Sequence, residues 1–246
     1  MITVQTIFRG RKYCFEKHIE GLLAQGKFLK KCNVVWLNCS TDEQFSEMLQ
    51  KTAQELKPRV KSILVLNKKF QVVDDFVDCG ATAERLRAII DSYNFLRDFI
   101  FDKYVLYYED DVQAPPNAFE KLYTDLKFLK ADGVCAYVPD RWTKKHQPLA
   151  WQFKGMTVRR TPDGKQEKIL MSPPVQARRE GITEVDAMTW SLTILRSCLV
   201  KQYAYGVFIN PRIAHDIQWC WKVKTILDAR FFIDWDIVAK HFPREE

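Results

Sequence analysis

The sequence predicts an α/β fold: a mostly parallel central sheet flanked by helices, in a single domain. Two observations carry that prediction. Short apolar and β-branched runs alternate with segments of helical apolar spacing through the first 140 residues, the order that buries a parallel sheet under helices on both faces. The composition, 47% hydrophobic and 28% charged over 246 residues, supplies one large core without metals or disulfides.

Residues 3–8 form a β-branched run suited to a strand. Phe15, Ile19, Leu22 and Leu23 then recur at helical spacing. Residues 33–37 are a compact apolar run, suited to a buried strand. Ser40 and Glu43 match the capping-box pattern S-x-x-E and open a helix with Phe45, Met48, Leu49 and Leu56 on one face. Residues 62–66 read as a third buried strand. Thr82 is placed to cap a long helix whose stripe runs through Ala83, Leu86, Ile89, Ile90, Tyr93, Leu96 and Ile100. Residues 104–108 form a fourth strand, ending in Glu109-Asp110-Asp111. Pro115-Pro116-Asn117 breaks the chain before a helix with Phe119, Leu122, Leu126 and Leu129, and residues 133–138 give a fifth strand.

The second half differs. Residues 141–181 are rich in Lys, Arg, Gln and Pro and read as a hairpin with loops. The basic stretch 144–179 buries little apolar surface, so it is expected to be mobile and to order around substrate. A strand over 184–190, helices over 192–203 and 215–227, and short apolar runs at 231–233 and 237–239 complete the chain up to His241.

The basic side chains, 38 against 31 acidic, give a net charge of +7 and permit an anionic partner such as a nucleotide, a phospholipid surface or nucleic acid. The seven cysteines are odd in number and lack C-x-x-C spacing, which points to reduced, mostly buried thiols and a cytoplasmic setting. Cys14 lies beside a basic loop, so a reactive thiol stands next to the core role. The longest stretches without a charged residue are ten residues, so no transmembrane segment is expected. The first residues read as a strand and not as a signal peptide. The motifs of P-loop NTPases, dinucleotide-binding dehydrogenases and zincins are missing.

The strongest chemical signal is Tyr107-Tyr108-Glu109-Asp110-Asp111-Val112. Three adjacent carboxylates at a strand end repel one another, and a hard divalent ion with phosphate oxygens completing its shell relieves that repulsion. A solvated acidic turn is the other interpretation.

This segment resembles the DxD motif of GT-A-fold glycosyltransferases, and the arrangement resembles glycosyltransferase family 2. The counterparts run from the strand at 3–8, through the strand ending in Asn38-Cys39-Ser40, to Asp78-Cys79-Gly80-Ala81-Thr82-Ala83-Glu84-Arg85 and the acidic triplet. The resemblance implies a GT-A (Rossmann-like) domain over 1–246. Residues 1–140 form its nucleotide-sugar-binding half and 141–246 its acceptor-binding half. It implies Asn38, Ser40, Asp78, Arg85 and Asp110 as donor-binding residues. Asp111, Glu109 and His241 are implied as ligands of Mn²⁺ or Mg²⁺, with Asp111 foremost. His215-Asp216 stands where the family has an acidic pair that opens a helix, which implies Asp216 as catalytic base. Many relatives have an aspartate that reads the base where this chain has Asn38-Cys39-Ser40.

The chemistry is coherent. Charge on a leaving diphosphate needs neutralising, an acceptor hydroxyl must lose a proton, and both substrates must be held in line. Asp216 also suits a plain helix N-cap. Arg85 is equally a surface salt-bridge residue. Trp219 and Trp221 are core or sugar-platform candidates, Trp190 is core or lies where the resemblance implies acceptor binding, and Arg159-Arg160 and Arg178-Arg179 are solvated charge or a closing loop. The expected activity is transfer of a sugar from a nucleotide-diphosphate sugar donor, with inversion, to an unknown acceptor. Lipid-linked saccharide, protein, small molecule and modified nucleic acid all stand as acceptors. A metal-dependent nucleotidyltransferase or nuclease, or a catalytically silent binding module of the same fold, are the alternatives.

Overall fold

The computed structural model describes residues 1–70, 83–139, 148–154, 156–160, 166–170, 180–208 and 213–243, with side chains left undescribed for 83–85 and for the two strands at 156–160 and 166–170. The expectations for Asp78, Cys79, Thr82, the Arg85 side chain, the paired arginines at 159–160 and 178–179, and much of 144–179 therefore lie outside the described residues.

The strands and helices alternate through the first half as β1 (Ile2–Phe8), α1 (Lys12–Leu23), β2 (Cys32–Asn38), α2 (Glu43–Leu56), β3 (Ser62–Asn67), α3 (Ala83–Leu96), β4 (Tyr104–Tyr108), β5 (Val112–Gln113), α4 (Ala118–Phe128) and β6 (Gly133–Tyr137). The second half adds β7 (Ala150–Trp151), β8 (Met156–Arg160), β9 (Gln166–Leu170), β10 (Ile182–Val185), β11 (Ala187–Met188), β12 (Leu192–Arg196), α5 (Ser197–Gln202), α6 (His215–Leu227), β13 (Phe231–Val238) and β14 (Lys240–His241).

Eight strands form the central sheet in the order β10-β13-β6-β12-β4-β1-β2-β3. The pairings β1–β2, β1–β4, β2–β3 and β6–β13 are parallel, whereas β12 runs antiparallel to both β4 and β6. The sheet is covered on both faces, so β1, β2, β4 and β6 are buried along their whole length. One face sends Val4, Phe8, Trp36, Leu106 and Tyr108 into a core shared with Phe15, Phe45 and Phe119. The other sends Ile7, Val35, Leu37, Val105 and Tyr107 into a core with Tyr93, Trp190 and Trp219. The hairpin expected within 141–181 is present as the antiparallel pair β8–β9.

Four local expectations are corrected. The cap of α2 is Asp42, whose carboxylate accepts from the Phe45 N–H at 3.1 Å, while Ser40 Oγ accepts from the Asp42 N–H two residues outside the helix. Among the described strands β3 pairs only with β2, so it is a half-exposed edge and not a buried strand. Residues 192–196 form β12, not the start of a helix, because Leu192-Thr193-Ile194-Leu195-Arg196 fills the slot between β4 and β6 and only the six residues Ser197–Gln202 are helical. The two short runs near the end are one strand, β13, with an irregularity between Asp234 and Val238.

Candidate active site

The carboxyl ends of β1 and β4 meet the start of α6 around a cleft of about 330 Å³, lined by Arg11, Glu109, Asp111, Ser191, Asp216 and His241 among others. Parallel α/β sheets place ligands at these strand ends.

Helix α1 supports the acidic turn from below. A Cβ on Gly21 would lie 2.4 Å from the Tyr108 hydroxyl and 2.7 Å from the Ala114 nitrogen, so only glycine permits this approach. His18 is fully buried, stacks on Tyr108 with 4.0 Å between ring centroids, and donates from Nδ1 to the Glu109 carbonyl at 3.0 Å. Cys14 donates to the Asp110 carbonyl at 3.2 Å. Burial pushes its thiol up to about 12, with Asp110 and Asp111 acting in the same direction, so Cys14 is a core residue and not a reactive thiol. Gly10 has a positive φ of 79°, and a Cβ there would meet Ser40 Oγ at 2.6 Å, so the loop after β1 closes tightly on the loop after β2.

The three acidic residues face different partners. Glu109 accepts from Ser191 Oγ at 2.8 Å. Asp110 is buried and accepts from the Arg9 N–H at 3.0 Å and from Arg11 Nη1 at 2.8 Å. Burial raises its pKa, against the pull of Arg11. Asp111 is also buried and pairs with Arg11. Burial of Arg11 works against its charge, and Asp110, Asp111 and Glu109 overcome that and hold it protonated.

His241 reaches this turn because β14 pairs with β5, setting His241 opposite Val112. Its Nδ1 lies 3.1 Å from the Pro139 carbonyl, which can only accept, so Nδ1 carries the proton. Nε2 then faces Asp111, 3.7 Å away. Ligand atoms of Glu109, Asp111 and His241 all lie within 4.8 Å of one another. Two carboxylates and an imidazole oriented through its other nitrogen suit Mn²⁺, and with water and phosphate oxygens also Mg²⁺.

Asp216 lies across the cleft in the first turn of α6. The N-cap of that helix is Ala214, so the capping role falls away; Asp216 Oδ1 accepts from the Ile217 N–H at 2.8 Å. Burial pushes its carboxyl up to about 7, the Ile217 N–H opposes this and the charge on Glu109 adds to it. His215 stacks on Tyr93 at 4.8 Å, and burial, helped by Arg9, pushes it down to about 3, so it is neutral.

The other expected residues sit elsewhere. Asn38 and Ser40 line an adjoining recess of about 550 Å³ with Ser46, Asn67 and Lys68. The Asn38 amide is used within the protein: Nδ2 donates to Ser46 Oγ at 2.8 Å and Asn67 Oδ1 at 3.0 Å, and Oδ1 accepts from the Ser40 N–H. Trp190 and Trp219 are fully buried and meet edge to face at 5.4 Å, so both are core. Asp186 pairs with Lys224 at 3.2 Å and accepts from the Phe153 N–H. Sequence reasoning missed Arg11, His18 and Ser191. Only the basic run Arg9-Gly10-Arg11-Lys12 after a strand hinted at the first.

No protein-family model matches the chain, and no curated protein does. Solved structures do. TarS of S. aureus (residues 1–349, in complex with UDP-GlcNAc) superposes with a TM-score of 0.57 at 16% identity, over 100% of this chain and 59% of that one. GalNAc-T7 with UDP, GalNAc and Mn²⁺ gives 0.62 at 10% identity, over 100% and 44%. The mannosyltransferase PcManGT from Pyrobaculum calidifontis, with GDP-Man and Mn²⁺, gives 0.61 at 11% identity, over 99% and 57%. The chain thus spans three fifths or less of the length of each. Among the described residues no helix is long and apolar enough to cross a membrane. The protein has a GT-A glycosyltransferase-like fold.

Proposed function

We propose that this protein is a metal-dependent, inverting glycosyltransferase that moves a sugar from a nucleotide-diphosphate donor to an acceptor hydroxyl. The observation that supports it most is one cleft at the strand ends that sets a Glu109–Asp111–His241 ligand trio against a buried carboxyl, Asp216. The fold points the same way: similar structures were solved with UDP-GlcNAc, with UDP and Mn²⁺, and with GDP-Man and Mn²⁺.

Asp111, Glu109 and His241 hold the cation, with Ser191 orienting Glu109 and the Pro139 carbonyl orienting His241. A bound Mn²⁺ or Mg²⁺ supplies Lewis-acid neutralisation of the charge on the leaving diphosphate. Asp216 takes the proton from the acceptor hydroxyl, and a carboxyl near 7 is matched to that task at neutral pH. Inversion is the outcome of a single in-line displacement, in which the acceptor oxygen, deprotonated by Asp216, bonds to the anomeric carbon as the bond to the diphosphate oxygen breaks on the opposite face. The net charge of +7 favours anionic donors and allows an anionic acceptor.

The test is a set of UDP- and GDP-linked sugars incubated with the protein and Mn²⁺, with release of the nucleoside diphosphate as the readout. Release from at least one donor, abolished by a chelator, is expected. Cleavage of the diphosphate bond itself, giving a nucleoside monophosphate, would instead identify a phosphate-transfer enzyme.

A further inference from the structure

We propose that Arg11 is an internal counter-cation that competes with the divalent ion for Asp111 and, once displaced, binds the donor diphosphate; this rests on the donor assignment above. Arg11 Nη1 bridges the two central carboxylates, 2.8 Å from Asp110 Oδ1 and in contact with Asp111 Oδ2. Its side chain is 16% exposed, while those of Asp110 and Asp111 are 4% and 1% exposed, so the guanidinium closes the turn towards the cleft. Asp111 Oδ1 is the atom that lies 3.7 Å from His241 Nε2. One buried carboxylate is therefore shared between a guanidinium on one oxygen and His241 on the other.

A divalent ion on Asp111 puts two cations on one carboxylate in a partly desolvated site, where like charges repel strongly. The guanidinium is then driven off Asp111. It is not lost to solvent, because Asp110 stays anchored by the Arg9 N–H at 3.0 Å and keeps its own hold on Arg11. A guanidinium tethered on one side at a cleft mouth presents its other N–H groups outward, in the planar fork that matches phosphate oxygens. The ion alone has to break an ion pair to bind. The ion together with a diphosphate gives Arg11 a new partner. Cation and nucleotide should therefore load cooperatively, each raising the affinity of the other by the same factor.

The experiment measures Mn²⁺ binding directly, by the electron paramagnetic resonance signal of the free ion, for the full chain and for Arg11→Gln and Arg11→Met, with and without UDP or GDP. Met keeps the packing of the side-chain stem, and either variant that retains its circular dichroism spectrum decides the matter. Without nucleotide, the variants should bind Mn²⁺ at least about tenfold more tightly than the natural protein, because no competing cation holds the competent site closed. UDP or GDP should tighten Mn²⁺ binding by the natural protein about tenfold or more beyond what they do in the variants, where only direct coordination of the phosphates by the ion couples the two. Variants that bind Mn²⁺ no more tightly than the natural protein, or that keep the nucleotide coupling undiminished, would overturn the role of Arg11 while leaving the donor assignment standing. Absence of Mn²⁺ binding in every form, nucleotide present, would overturn both.

Discussion

Replacing Asp216 with Asn removes a buried charge and a proton acceptor in one step, and the two losses have opposite signs. The carboxyl titrates at about 7 in the folded chain against an ordinary 3.8, with burial as the main cause. At 1.36 kcal/mol per tenfold, that separation corresponds to roughly 4 kcal/mol of opposition to folding when the group ionises. For an acid whose folded pKa is raised, the cost is nil below about pH 4, grows between 4 and 7, and is full above 7. Asp216→Asn keeps the oxygen that accepts from the Ile217 N–H. It should therefore raise stability at pH 8 by up to about 4 kcal/mol and leave it nearly unchanged at pH 4. Turnover, followed as nucleoside diphosphate release, should fall by about 10²–10⁴-fold. In the natural protein kcat/KM should rise with pH through about 7, because the base acts ionised, and that rise should be missing from the variant. Denaturant melts at both pH values and the rate profile are the measurements. A variant that is more stable only at high pH but turns over normally would show that Asp216 is buried for a structural reason. A variant with no gain in stability at pH 8 would refute the burial argument itself.

Other consequences follow from the same geometry. Gly21→Ala should push the Tyr108 hydroxyl and the Ala114 backbone apart, costing about 1–3 kcal/mol in denaturant melts and weakening Mn²⁺ binding through the displaced turn. Asp125 is raised to about 7, by burial and then by its neighbour Asp234, so Asp234→Asn should stabilise the protein at pH 8 more than at pH 5; an equal effect at both would refute the pairing. Cys14 should resist thiol reagents at pH 8 while exposed Cys198 reacts, which mass spectrometry of the labelled native protein would show.

Much of the site was legible because its residues are local. The strand at 104–108, the acidic triplet and the Pro-Pro break lie within 13 consecutive residues, and each follows from apolar pattern and turn chemistry. His241 and Asp216 were placed by the family resemblance, and the fold brings both to the same cleft. Arg11 was not legible, because its partners lie 99 and 100 positions away and only the β1–β4 pairing brings them together. β12 was missed because five residues, four of them buried, with no alternation carry no period of either kind, and its state is set by the slot between β4 and β6. For Asp216, a place in the first turn of a helix favours the charged carboxylate, and burial, which a sequence does not display, reverses the sign.

The central claim is that the carboxylates at the end of β4 bind a nucleoside diphosphate through a divalent cation. Titration calorimetry of UDP and of GDP into the protein, with Mn²⁺ and with a chelator in its place, tests it most directly, with Asp111→Ala alongside. At least one nucleotide should bind with Mn²⁺, lose that binding with the chelator, and lose it equally in a folded Asp111→Ala. Undiminished binding in the chelator, or in Asp111→Ala, would contradict it.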